Sequence, residues 1–141
     1  MRAIATRTPT VTSIEFPRPE PRYMNMNDRD HHMRRADRVA GWRHVAAMAS
    51  SKLGAPSARL HGRSIVRLYL PFKQTRHRDP MNYVATLKPI LDGFVEAGVW
   101  LDDDSRYVVS EEPVLLIRPN LVGRVMVDIF PIPDDWKAPA R

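Results

Sequence analysis

The chain has 141 residues, 43% hydrophobic and 27% charged, the composition of one globular domain rather than of a disordered segment. It contains no cysteine, which excludes a disulfide framework and a Cys-ligated zinc site, and no apolar run approaches the roughly 18 residues that span a bilayer. Lys and Arg number 22 against 16 Asp and Glu, and the resulting formal net charge of +6 favours a polyanionic partner, nucleic acid first.

The N-terminal segment lacks the continuous apolar centre of a signal peptide, so a soluble, cytoplasmic protein is expected, without membrane contact. Residues 10–16, TVTSIEF, are rich in β-branched residues and read as a strand. Three prolines then make 17–23 an extended connector that cannot join a sheet interior, and 25–35 is polar and irregular. Adjacent histidines diverge, so His31-His32 is not read as a metal pair. From 36 to 53 the residues Val39, Trp42, Val45, Ala46, Ala49 and Leu53 recur at spacings of three and four, which predicts a helix stopped by Gly54 and Pro56.

Residues 64–72, SIVRLYLPF, are apolar on both faces at their start and predict a central strand. A basic loop, 73–80, leads to a second helix over 82–99, where Pro89 predicts a kink or a restart. Two strands close the chain, 106–119 with a bend or bulge at Pro113 and 123–132, and their short connection predicts an antiparallel hairpin. Trp136, in the tail, is placed to tuck back on the domain. The order β-α-β-α-β-β implies a single α/β (α+β) domain over 1–141 with a mixed sheet, two main helices and flexible ends at 1–9 and 133–141.

The acidic residues bracket the second helix. Asp79 precedes it, Asp92 lies in it four residues after Lys88, and Asp102, Asp103 and Asp104 follow it. Each has an ordinary reading: an N-cap before Pro80, an exposed i,i+4 pair, a solvated turn. If the chain folds back after Gly98, or kinks at Pro89, so that Asp79 meets Asp102 and Asp103, the carboxylates form an all-oxygen site for a hard cation, Mg²⁺ or Mn²⁺. Such clusters activate water in nucleases, and a neighbouring lysine offsets phosphate charge. The basic stretch Lys73, Arg76, His77 and Arg78 would then grip the DNA backbone.

Taken as one segment, RDPMNYVATLKPILDGFVEAGVWLDDDSRYV (78–108) resembles the RusA family of Holliday junction resolvases. Asp79 and Asn82 match the start of that family's signature, Lys88 and Asp92 its helix pair, and Asp102-Asp103 after Trp100-Leu101 its last acids, with Asp103-Asp104 as the other register. Met81 stands where the family carries a second acid, and the interval from Asn82 to Lys88 is longer than in its best-known members. The resemblance implies a homodimeric, Mg²⁺-dependent endodeoxyribonuclease, with Mn²⁺ as the other candidate ion, which cleaves four-way junctions in a bacterial or phage-infected cell. It implies Asp79, Lys88, Asp92 and Asp103 as catalytic residues, and Asp79, Asp92 and Asp103 as metal ligands supported by Asp102 or Asp104. Asn82 of the signature is a candidate DNA contact, and Lys73, Arg76, Arg78 and Arg106 are candidate DNA contacts by charge and position only. Loss of the acid at Met81 leaves a second expectation, a junction-binding protein of the same fold that does not cut. A third is a domain unrelated to nucleic acid, with a merely solvated Asp run.

Overall fold

In the computed structural model, which describes residues 11–52 and 62–133, the elements run β1 (Thr12–Pro17), α1 (His32–Ser51), β2 (Ser64–Phe72), a 3₁₀ turn (Pro80–Tyr83), α2 (Val84–Glu96), β3 (Val108–Ser110), β4 (Val114–Ile117), a second 3₁₀ turn (Pro119–Leu121) and β5 (Arg124–Pro131). The fold is a single mixed α+β domain with one five-stranded sheet and two main helices. Among the described residues no helix is long and apolar enough to cross a membrane. The expected flexible ends at 1–9 and, apart from residue 133, at 133–141, the helix stop at Gly54 and Pro56, and Trp136 lie outside the described residues.

The apolar alternation of β2 makes it the centre of the sheet, as its sequence predicts. On one side it pairs antiparallel with β5, from Ser64↔Pro131 to Tyr69↔Met126, and β5 pairs in turn with β1 at the edge. On the other side it pairs parallel with both β3 and β4, beginning at Ser64↔Val108 and Tyr69↔Val114. The expected antiparallel hairpin of the last two strands does not form: β4 and β5 lie on opposite edges of β2. The second 3₁₀ turn and Gly123, at a φ of 95° that favours glycine, carry the chain over the end of β2, where Arg118 N–H donates to Phe72 O at 3.0 Å. A short connection between two apolar runs is equally compatible with straddling a third strand. Pro113 does more than bend its strand, because it falls in the gap that separates β3 from β4.

Pairing stacks Ile14, Val127 and Leu68 in one row across β1, β5 and β2, with Phe16, Val66, Leu70, Val125 and Ile129 on the same buried face. Trp42 and Ala46 of α1 and Leu87, Ile90, Leu91 and Phe94 of α2 complete the core. The α1 stripe therefore packs inward as its spacing predicts. The helix itself starts earlier than expected, at His32, capped by His31 Nδ1, which accepts from Met33 N–H at 3.3 Å. The two histidine rings lie 4.2 Å apart, so the expected divergence is not found: the helical start brings them side by side.

Segment 17–31, by sequence a proline-rich connector followed by a polar irregular stretch, is held by one arginine. Arg38 donates through Nε to both oxygens of Glu20 at 2.7 and 3.0 Å and through Nη1 to Asp28 at 2.8 Å and to Asp30, and its side chain is only 7% exposed. Trp42 Nε1–H also donates to Glu20, at 2.7 Å. The same segment ties to the rest of the domain through Tyr23, whose hydroxyl donates to Pro71 O at 2.7 Å, and Met24, whose carbonyl accepts from Thr86 Oγ1 at 2.7 Å. It thus fixes the end of β2 and the start of α2 to each other.

Candidate active site

α2 runs through Pro89 without a restart. Only one backbone donor is lost there, and Pro89 lies among buried residues on the helix's inner side. The close approach of α1 and α2 depends on Gly93, where an added Cβ would sit 2.4 Å from Arg43 O and 2.9 Å from the Cβ of Ala46. The helix ends in a Schellman turn: Val99 N–H donates to Phe94 O and Gly98 N–H to Val95 O, both at 2.9 Å, with Gly98 at a φ of 87°. This turn folds the chain back. Val99 and Trp100 then bury themselves, Trp100 against Phe94 at 6.2 Å between ring centroids, and so fix the start of the aspartate run.

The three aspartates part company. Asp102 accepts from Asp103 N–H at 2.7 Å through its own side chain. Asp104 makes the turn: its side chain accepts from Arg106 N–H at 2.9 Å and from the Arg106 guanidinium at 2.7 to 3.2 Å, while its carbonyl accepts from Tyr107 and Val108 N–H at 2.9 Å. The Arg106 guanidinium holds the Asp104 carboxyl down at about 2. Asp103, the middle one, turns back onto α2 and accepts from Lys88 Nζ, which also donates to Asp92 Oδ1 at 3.1 Å.

Lys88 is thus the resident cation between two carboxylates. Its hydrogen bond to Asp103 raises the lysine above its ordinary value, and the same bond holds the Asp103 carboxyl below its own. Beside this group opens a cleft of about 500 Å³ whose rim carries Met81, Lys88, Asp103, Asp104, Glu111 and Glu112. Glu111 is braced by Arg67, which donates to both of its oxygens at 3.0 and 3.2 Å. Neither glutamate figures among the sequence-derived site residues. The signal for them was a second acidic pair, directly before Pro113, at a strand end.

The structure does not bring Asp79 into this group. Its Oδ1 accepts from Met81 N–H at 3.0 Å as the cap of the first 3₁₀ turn, with Pro80 at the first position, which is the ordinary reading of Asp-Pro. Among the described residues no three His, Asp or Glu side chains come together as a set that could hold a metal ion, so the five expected ligands do not form one cage. The unbroken α2 lies between them, with Asp79 before its start and the aspartate run beyond its end. What remains is the pair Asp92 and Asp103. As a donor set this fits Mg²⁺, which is commonly held by one or two carboxylates with waters and substrate phosphate filling the rest of its octahedron.

The expected DNA contacts also separate. Lys73, Arg76 and Arg78 line one cleft with Arg18. Asn82 lies in the 3₁₀ turn, its carbonyl accepting from Met26 N–H at 2.9 Å, and Arg106 is held on Asp104. Compared with family models and with curated proteins, the chain matches none.

Proposed function

We propose that the protein is a metal-dependent endodeoxyribonuclease acting on branched DNA, four-way junctions first, as a homodimer in which two sites related by a twofold axis cut two strands. The observation that carries the reading is the convergence of Asp92 and Asp103 on Lys88 at the rim of an acid-lined cleft, in a chain whose net charge is +6. It is supported by the resemblance of 78–108 to the RusA family.

In this reading Asp92 and Asp103 hold Mg²⁺, or Mn²⁺, with Asp102 close by, and Asp79 orders the turn that leads into α2. The bound ion would supply an activated water and neutralise charge on the scissile phosphate. Lys88 adds positive charge where the phosphate oxygens gather it, and Lys73, Arg76 and Arg78 take the backbone. A second reading, a junction-binding protein that does not cut, is favoured by the exposed thioether of Met81 on the cleft rim, where the resemblance implies a carboxylate.

The test is incubation of the protein with a synthetic four-way junction and Mg²⁺ or Mn²⁺. Paired nicks at symmetric positions support the enzyme. Retarded but intact junction, with no metal detected by calorimetry, supports the second reading. Neither binding nor cutting leaves the domain unrelated to nucleic acid.

A further inference from the structure

Four cations share one cleft that holds no acid. A cleft of about 360 Å³ lies between the connector that follows β1 and the loop that follows β2, and four cations, Arg18, Lys73, Arg76 and Arg78, line it without any acid. Among the described residues none of the four has a carboxylate within ion-pair distance, whereas Arg38, Arg43, Arg67, Lys88, Arg106 and Arg124 all do. Mutual repulsion opposes such a grouping in the absence of an anion.

Two of the four are mounted on aromatic rings. The guanidinium of Arg18 lies 5.2 Å from the centre of the Tyr23 ring and that of Arg78 lies 4.0 Å from the centre of the Phe72 ring. The rings themselves pack edge to face with centroids 5.2 Å apart, and Tyr23 is pinned by its bond to Pro71 O at 2.7 Å. Gln74 steadies the loop, its carbonyl accepting from Arg78 Nη1 at 2.8 Å and its side-chain oxygen from Arg76 Nη2 at 3.2 Å. A stacked guanidinium loses little freedom when it binds, and its N–H edge matches the oxygens of a phosphate.

We propose that this cleft is a phosphate clamp for the nucleic-acid backbone, separate from the carboxylate group at Lys88 and blind to base identity. The ring faces of Tyr23 and Phe72 that could stack a base are covered by Arg18 and Arg78, so backbone charge rather than sequence is read there. Arg18, from the proline-rich connector, becomes a binding residue alongside the loop cations. The proposal rests on nucleic acid being the substrate but not on its being cut.

The experiment is equilibrium binding of a fluorescent four-way junction in EDTA, at several salt concentrations and with two unrelated arm sequences. Arg18→Gln and Arg78→Gln are each expected to weaken binding several-fold, equally for both sequences, and to lower the steepness of log K against log salt by about one. Arg76→Gln, which covers no ring, guards against misfolding as the cause, and Arg124→Gln, whose partner is Glu15, is the control expected to leave the slope unchanged. Slopes unchanged in Arg18→Gln, Arg76→Gln and Arg78→Gln, or losses confined to one arm sequence, would overturn the clamp. Wild-type protein that binds no junction in EDTA would overturn both the clamp and the nucleic-acid reading. Intact binding losses with no cleavage in Mg²⁺ would leave the clamp standing and remove only the nuclease.

Discussion

Lys88 and Asp103 are fifteen positions apart in sequence, yet the ammonium of one meets the carboxylate of the other across the mouth of the acidic cleft. The meeting is made by three local devices in series: the start of α2 is tied to segment 17–31, the helix closes in a Schellman turn at Gly98, and Val99-Trp100 is buried beyond it. Asp92, one turn after Lys88, completes the group.

The stabilising effect of this pair should be confined to a pH window. Asp103 is held below its ordinary 3.8, so its contribution is present above that value and is lost as pH falls through the lowered one. Lys88 is raised above 10.5, so its contribution is present below 10.5 and is lost as pH climbs through the raised value. Because the Lys88 side chain is 62% exposed, Lys88→Gln should cost no more than about 1 kcal/mol at neutral pH. Urea denaturation of the two proteins should show that difference near neutrality and its disappearance in strong acid. A difference that persists unchanged in strong acid would mean that Lys88 stabilises by packing instead.

If the nuclease reading holds, the three aspartates should not be equivalent. Asp103→Asn removes a proposed metal ligand and should reduce junction cleavage by more than the roughly 10- to 100-fold typical of residues that only support a ligand, with binding in EDTA retained. Asp104→Asn should cut cleavage less, because an Asn oxygen still accepts the Arg106 N–H that shapes the turn. Single-turnover cleavage of a four-way junction ranks them. Equal rates for Asp103→Asn and wild type would place the chemistry elsewhere.

The parts legible in the sequence are those governed by neighbours along the chain. The three-and-four spacing around Trp42 specifies which side of α1 is buried, and the two-sided apolarity at the start of SIVRLYLPF specifies a central strand. Lys88 and Asp92 share a face because helical geometry puts them there. The partners of β4 and β5 were not legible, since nothing local in 114–131 distinguishes pairing with each other from pairing with β2. Segment 17–31 looked loose for a similar reason: its order comes from Arg38, which reaches Glu20, Asp28 and Asp30 at separations of 8 to 18 residues. Pro89 argued for a kink or a restart, and the helix does not restart there: one missing donor is outweighed by a helix side that is apolar and buried along its length. Of the site, a fold-back after Gly98 was readable, but it brings Asp103 to Lys88 and not to Asp79. Glu111 and Glu112 were not, because they reach the cleft only once β3 has paired with β2.

Two glycines in the helices should respond to alanine with opposite signs. In Gly93→Ala the new methyl meets backbone, Arg43 O at 2.4 Å and Ala47 N at 2.9 Å, so α1 and α2 must separate, at a cost of about 1–3 kcal/mol. The shift falls next to Asp92, so in the nuclease reading cleavage should drop as well. In Gly41→Ala the nearest atom is Pro19 Cβ at 3.9 Å, an ordinary contact, and the helix interior gains about 0.5–1 kcal/mol. Chemical denaturation of both variants decides the matter. A stabilised Gly93→Ala would show that the two helices are not in close contact there.

Arg38 should be the most sensitive charge in the domain. Its side chain is 7% exposed and its partners' are 20% (Glu20), 12% (Asp28) and 10% (Asp30), so Arg38→Gln takes the shared cation from three shielded carboxylates and leaves Asp28 only Arg22, at 3.9 Å. Breaking a buried pair from one side typically costs about 3–5 kcal/mol, and the Arg38 group contains more than one such pair. For Asp28, burial pushes the carboxyl up, but the Asn25 N–H and Arg38 overcome it and hold it below its ordinary 3.8. In wild type that contribution is present above 3.8 and is lost as pH falls through the lowered value. In Arg38→Gln the Asp28 carboxyl loses that support and its share of the stability, so the gap between the two proteins should narrow as the solution is acidified. Urea denaturation at neutral and at mildly acidic pH measures it. A gap that stays constant over that range would mean that Arg38 contributes through its methylenes and not through the three acids it holds.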